Sequence, residues 1–199
     1  MGARTDHLVL FQRCVGRGGA DGSTELSKAR CTGRCSPTRP YGAIERNPDD
    51  PYVRTITGGM AQGRLTGGCL DLVRQTMGTP IEIDTRDKIV YLEDLDLDTY
   101  LFDGGLTHLR NAGKLAAAAG IVIGELKHVG WRSDRAAFMQ DMSIEDVLEE
   151  VIGPLGVPCI YGLPIGHGKH HVTVPHGAHA VLDADAGTLV IDEVVTADE

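Results

Sequence analysis

In the second half of the chain, apolar positions alternate between short continuous runs and stripes at helical spacing. The run KIVYLED, Lys88 to Asp94, is apolar and β-branched and predicts a buried strand that ends on two acids. Tyr100 to Ala112 follows with Leu101, Leu106 and Leu109 on one helical face and stops at Gly113. The segment AAAAGIVIGEL, Ala116 to Leu126, predicts a second buried strand at about Gly120 to Gly124. Ser143 then opens a helix with Asp146 three residues on, close to a capping box, and Ile144, Val147, Leu148 and Val151 form its apolar stripe. Gly153 and Pro154 end that helix. VPCIYGLP, Val157 to Pro164, predicts a third strand, and HVTVP and AVLDADAGTLVID predict late strands around an Asp-Ala-Gly turn.

Upstream, Leu70, Leu72, Val73 and Met77 fit a helix closed by Gly78 and Pro80. The glycines at 58, 59, 63, 67 and 68 before it predict a turn that feeds the helix N-terminus. Backbone N–H groups in such a turn can meet an anion, and the same glycines also permit close packing. Residues 1–50 show no sustained period of 2 or 3.6 after the short run Leu8 to Phe11, and their Gly, Arg, Ser, Cys and Pro content predicts little structure. GRGGADGS, Gly16 to Ser23, has no strand of useful length before it and no Lys-Ser or Lys-Thr after it, so it does not read as a phosphate loop. WRSDRAAF, Trp131 to Phe138, predicts a surface loop or short helix whose Arg132 and Arg135 are either anion contacts or a solvated face. The chain therefore divides into a poorly structured extension, 1–57, and one domain, 58–199. The fold class expected for that domain is α/β, a mixed sheet with flanking helices and a terminal β-ribbon.

Composition supports one core rather than two. The chain has 199 residues, 42% of them apolar, and only 5% aromatic, so the core is built from Val, Ile, Leu and Ala. Formal charge is −9, made of +3 over 1–57 and −12 over 58–199, which argues against nucleic acid as partner. With no leader-like stretch and no run near the roughly 20 apolar residues of a membrane span, a cytoplasmic location is expected. Five irregularly spaced Cys make a poor disulfide framework and suit a reducing compartment. Cys14, Cys31 and Cys35 lack a fourth ligand at zinc spacing, while Cys69 and Cys159 read as small core residues. His167, His170 and His171 share a metal only on a helix, which the neighbouring glycines and Pro175 oppose. No metal or other cofactor is expected.

Two side chains stand out as candidate chemistry. Glu93 stands at a strand end, where α/β folds present functional groups, although a helix-capping carboxylate is the plainer role and Asp94 or Asp96 would fill it equally well. His167 lies between Gly166 and Gly168 just past the third strand, where flanking glycines let an imidazole project into a cleft.

Taken together, GRLTGGCLDLVRQTMGTP, IVYLEDLDLDTYLFDGGLTHLRNAG, GIVIGEL and GVPCIYGLPIGHGKHHVTVPHGAHAVLD resemble, in order, the LD-carboxypeptidase family of muramoyl-tetrapeptide carboxypeptidases and microcin C immunity proteins. The resemblance implies the swivelling β/β/α C-terminal domain of that family. It also implies a Ser-His-Glu triad whose glutamate and histidine fall on Glu93 and His167, with Gly67, Gly68 and Cys69 as a substrate-contacting segment. The implied substrates are small peptides, either murein peptides with an L,D-amide to a terminal D-amino acid or peptide-nucleotides. The family's serine lies in a preceding domain that residues 1–50 do not resemble, and Ser23, Ser27, Ser36 and Ser133 do not follow the strand-to-turn pattern of a nucleophile. Three expectations follow for the missing half: a truncated or frameshifted sequence, a separate docking chain, or a non-catalytic binding module. A homodimer is also implied, and the chain alone is expected to be inactive or nearly so.

Overall fold

The computed structural model describes residues 54–130, 142–168 and 172–193, together with the backbone of a strand at 42–45. Among these, eight strands form one sheet in the order β1-β8-β7-β3-β4-β5-β6-β2. The strands are β1 (Gly42–Glu45), β2 (Arg54–Thr57), β3 (Met60–Cys69), β4 (Ile89–Glu93), β5 (Gly120–Glu125), β6 (Cys159–Gly166), β7 (His179–Asp183) and β8 (Thr188–Ile191). Three helices, α1 (Leu70–Gln75), α2 (Thr99–Asn111) and α3 (Ile144–Val151), complete the mixed α/β architecture expected from the pattern. β3, β4, β5 and β6 run parallel, so their C-terminal ends share one rim, while β7, β8, β1 and β2 pair antiparallel.

Two cores lie on opposite faces of the sheet. Val90, Leu92, Ile121, Ile123 and Cys159 pack against α1, α2 and α3, whose Leu70, Phe102, Leu106, Val147 and Leu148 are buried beside them. On the other face Leu65, Ile89, Val122, Ile160, Leu163 and Ile165 meet Ala180, Leu182, Leu189 and Ile191 of the β7–β8 ribbon. Full burial of each Val, Leu, Ile or Phe among them contributes about 1.5–3 kcal/mol relative to exposure. The Ser143 box is complete: Ser143 Oγ accepts from Asp146 N at 3.1 Å, and Asp146 Oδ2 accepts from Ser143 N at 2.8 Å. The predicted stripe Ile144, Val147, Leu148 and Val151 is the buried one.

Four local expectations differ from the structure. The glycine-rich segment before α1 is not a turn but the ten-residue strand β3. Gly67 lies at φ +140, and an added Cβ there would overlap Tyr91 O of β4, so the glycine is what allows the two strands to approach. In α2 the large apolar side chain buried in the first turn is Phe102, and Leu101 is 40% exposed, because Phe102 falls on the helical face of Leu106 and Leu109 and Leu101 does not. In α1 Leu72 is exposed while Leu70 and Val73 are buried. Val172 to Pro175 of HVTVP is irregular and not a strand, whereas β7 and β8 form the expected ribbon around Ala184–Gly187. Strands β1 and β2 lie within the 1–57 stretch; the rest of that stretch lies outside the described residues, as do Arg132, Arg135, His170 and His171.

Candidate functional site

Glu93 is the last residue of β4 and, by alternation, shares the ribbon-side face with Ile89 and Tyr91. β6 would put His167 on the helix side if its alternation were unbroken, since Cys159 and Tyr161 face the helices. A bulge changes this. Between Ile123↔Tyr161 and Gly124↔Leu163 one extra residue enters β6, at Gly162 with φ +92, and parity inverts so that Leu163 and Ile165 face the ribbon. A second slip, from Leu163 to Gly166 against Gly124 and Glu125, carries the end of β6 across β5 toward β4. His167 thereby lands on the face that Glu93 occupies.

The two side chains meet. His167 Nδ1 lies 2.7 Å from Glu93 Oε2, joining residues 74 positions apart. The Glu93 side chain is 2% exposed and that of His167 33%, so the carboxylate is enclosed and the imidazole is reachable. Glu93 Oε1 is also buried and has no hydrogen-bond partner among the described residues. Burial pushes the Glu93 carboxyl above its ordinary value; the hydrogen bond from His167 and its charge act in the opposite sense without cancelling the rise, and neighbouring Asp94 adds to it.

Each glycine in this corner is required by a neighbour. Gly166 lies at φ +113, and an added Cβ would stand 2.7 Å from Glu93 Oε2. A Cβ at Gly124 would overlap Ile165 O, where β6 crosses β5. A Cβ at Gly168 would overlap the Glu125 carboxylate. The glycines around His167 thus make room for acids rather than simply clearing space for the ring.

Gly67, Gly68 and Cys69 form the end of β3, and Cys69 stands opposite Glu93 in the parallel register. Burial raises the Cys69 thiol; backbone N–H contacts at Leu72 and Asp71 oppose this, and the charges of Asp94 and Glu93 reinforce it. The thiol therefore stays protonated at neutral pH and is a poor nucleophile. Cys69 supplies no side-chain cap to α1. Asp94 takes that role, with Oδ2 accepting from Asp71 N at 3.0 Å and Oδ1 from Leu95 N at 2.8 Å. The two acids that end β4 thus divide the work: Asp94 caps a helix, and Glu93 holds the histidine. Glu125, at the end of β5, joins the same corner; only its place at the end of a buried strand pointed to it in the sequence. Among the described residues no group of three His, Cys, Asp or Glu is arranged to hold a metal, and no helix is long and apolar enough to cross a membrane.

The model of the LD-carboxypeptidase C-terminal domain matches residues 62–182, which include both members of this pair. The chain belongs to the LD-carboxypeptidase family. It is 39% identical over 139 residues to a probable murein peptide carboxypeptidase of Bacillus subtilis (strain 168), a match covering 69% of this chain and 42% of that protein. A putative carboxypeptidase of Synechocystis sp. is 36% identical over 131 residues, covering 66% of this chain and 42% of its own length. This LD-carboxypeptidase domain thus spans less than half the length of the curated relatives it matches. Among solved structures, muramoyltetrapeptide carboxypeptidase from Oxalobacter formigenes superposes with TM-score 0.62 at 26% identity, over 71% of this chain and 50% of that one. The microcin C7 self-immunity protein MccF in complex with aspartyl sulfamoyl adenosine shares the fold, with TM-score 0.65 at 17% identity over 78% of this chain and 52% of that one.

Proposed function

We propose that this domain supplies the glutamate and histidine of an LD-carboxypeptidase-type serine hydrolase, with the serine delivered by a second domain or chain. The observation that carries this reading is the 2.7 Å bond between a solvent-reachable His167 and an enclosed Glu93 at the rim where the parallel strands end. In such a centre Nδ1–H donates to Glu93, which fixes the tautomer and stabilises the imidazolium. Nε2 takes the serine proton during attack and returns it to the leaving amine. Gly67, Gly68 and Cys69, one strand away, border the place where a peptide would lie. Murein peptides ending in a D-amino acid are the proposed substrates, by analogy with the names of the Bacillus and Oxalobacter proteins, and peptide-nucleotides are the alternative by analogy with MccF.

Ser143, the only serine among the described residues, is committed to its capping box. On this reading a nucleophile-bearing domain or chain approaches the rim. Leu70, Leu97 and Leu101 line an open groove with Asp71, Arg74 and Asp94 on the helix side of the same strand ends, a mixed apolar and charged surface offered to such a domain or to a second copy. The test is to mix the purified chain with the separately produced N-terminal half of the Bacillus subtilis relative and to measure D-alanine release from a murein tetrapeptide. Turnover is expected from the mixture and not from either part. His167-dependent release by this chain alone overturns the need for a partner. A second reading, a peptide-binding module without catalysis, is favoured by the absence of a free serine hydroxyl among the described residues; it predicts calorimetric binding of the tetrapeptide and no release in the mixture.

A further inference from the structure

Glu125 belongs to no part of the proposed triad, yet the chain is shaped around it. It ends β5, the strand that lies between the β4 end carrying Glu93 and the β6 end carrying His167. The arm Gly166–His167–Gly168 has to pass over that strand end to reach Glu93, and Glu125 pairs in register with Gly166. The Glu125 side chain lies along the α-carbon of Gly168: an added Cβ there would overlap the carboxylate and stand 2.9 Å from Glu125 Cβ. The arm is therefore seated on acids at both flanks of His167, on Glu93 beneath Gly166 and on Glu125 beneath Gly168. A glycine-rich arm has little side-chain packing of its own to fix its height above the sheet. Its position is set by what it rests on.

We infer that Glu125 is a positioning residue for His167: its side chain is the support against which Gly168 packs, and it sets the height at which Nδ1 meets Glu93. This rests on the pairing of Glu93 with His167 and adds the element that holds it. The contact with Gly168 is one of shape, so glutamine, which keeps that shape, is expected to hold the arm, and alanine, which removes the body beneath Gly168, is not. Moving the arm instead of its support has the same result: Gly168→Ala displaces the Glu125 carboxylate and lifts the arm.

The experiment uses the full chain labelled with ¹⁵N-histidine and reads the low-field Nδ1–H proton of His167 and its exchange with water. Wild type is expected to show a hydrogen-bonded Nδ1–H that Glu93→Gln shifts. Glu125→Gln retains the signal; Glu125→Ala and Gly168→Ala lose it or accelerate its exchange at least about tenfold, a cost of about 1.4 kcal/mol in the closed arrangement. Unchanged α3 amide shifts in a parallel, uniformly ¹⁵N-labelled sample of each variant certify that it is folded. A wild-type protein without that proton, or one blind to Glu93→Gln, sinks the pairing itself and this inference with it. A wild-type signal that persists with unaltered exchange in both Glu125→Ala and Gly168→Ala sinks the inference alone.

Discussion

Pairs of a histidine and a carboxylate recur in the domain, and two of them sit in contrasting settings. At the parallel rim His167 Nδ1 meets Glu93 at 2.7 Å, and at the start of the ribbon His179 Nδ1 meets Asp192 at 2.8 Å. Distance does not separate them. Burial does: Glu93 is 2% exposed and Asp192 47%. The consequence is that the two carboxyls move in opposite directions, Glu93 upward because burial outweighs its histidine, Asp192 downward because the hydrogen bond from His179 acts with little burial against it. A third pair, His128 with Asp96 at 2.9 Å, is about two-thirds exposed on both sides and so is open to water like the ribbon pair. An imidazole against a carboxylate is thus a common surface feature, and what marks the rim pair is that water has been removed from its acid while the ring stays reachable.

This contrast is broken most sharply by activity. In the reconstituted mixture, His167→Ala is expected to lower kcat/KM by about 10⁴-fold or more, as triad members do, while His179→Ala leaves it unchanged. Equal losses in the two variants would show that burial does not distinguish the pairs. Next in size is Gly166→Ala, which forces a side chain into φ +113 against Glu93. It should cost about 1–3 kcal/mol in urea unfolding, and it should release His167 from Glu93 in an imidazole ¹⁵N spectrum. Wild-type stability with the pair intact would refute the crowding.

The smallest effect lies in the pH dependence of unfolding, and the two pairs should have opposite signs. Glu93 has a raised folded value, so its contribution is full below its ordinary 4.5 and is lost as pH rises through the folded value. Asp192 has a lowered one, so its contribution is present above its ordinary 3.8 and is lost as pH falls through the folded value. From about pH 4 to pH 8, Glu93→Gln should therefore gain on wild type. Asp192→Asn should lose ground as the ordinary value of 3.8 is passed from below. Denaturant midpoints at a series of pH values check this, and curves that run parallel would contradict it.

Much of the helix-covered half was legible in the sequence because local and tertiary demands agree there. The Ser143 box, the α3 stripe and the apolar runs of β4 and β5 are formed as their residues predict. β3 was not legible, because glycine disfavours strands on average, and only the approach of Tyr91 O explains why Gly67 belongs in one. Phe102, Leu106 and Leu109 stand at i, i+4 and i+7, so the buried face of α2 is written in the spacing, and Leu101 lies off it. Glu93 and His167 were singled out by a strand end, by flanking glycines and above all by family resemblance. Their meeting depends on the bulge at Gly162, and Glu125 on the crossing over β5, and neither feature has a signature in residue type alone.

The place of β3 in the sheet also bears on how the molecule is made. Its C-terminal half pairs with β4, which is synthesised soon after it, but Met60 to Arg64 find their partners only at His179 to Asp183. During translation this half-strand stays an open edge until nearly the whole domain has left the ribosome, and the outer seam of β1 on β8 closes later still. A nascent chain stalled before β7 would carry a mostly assembled parallel core with one unsatisfied border, the kind of intermediate that holding chaperones bind and that self-associates when they are scarce.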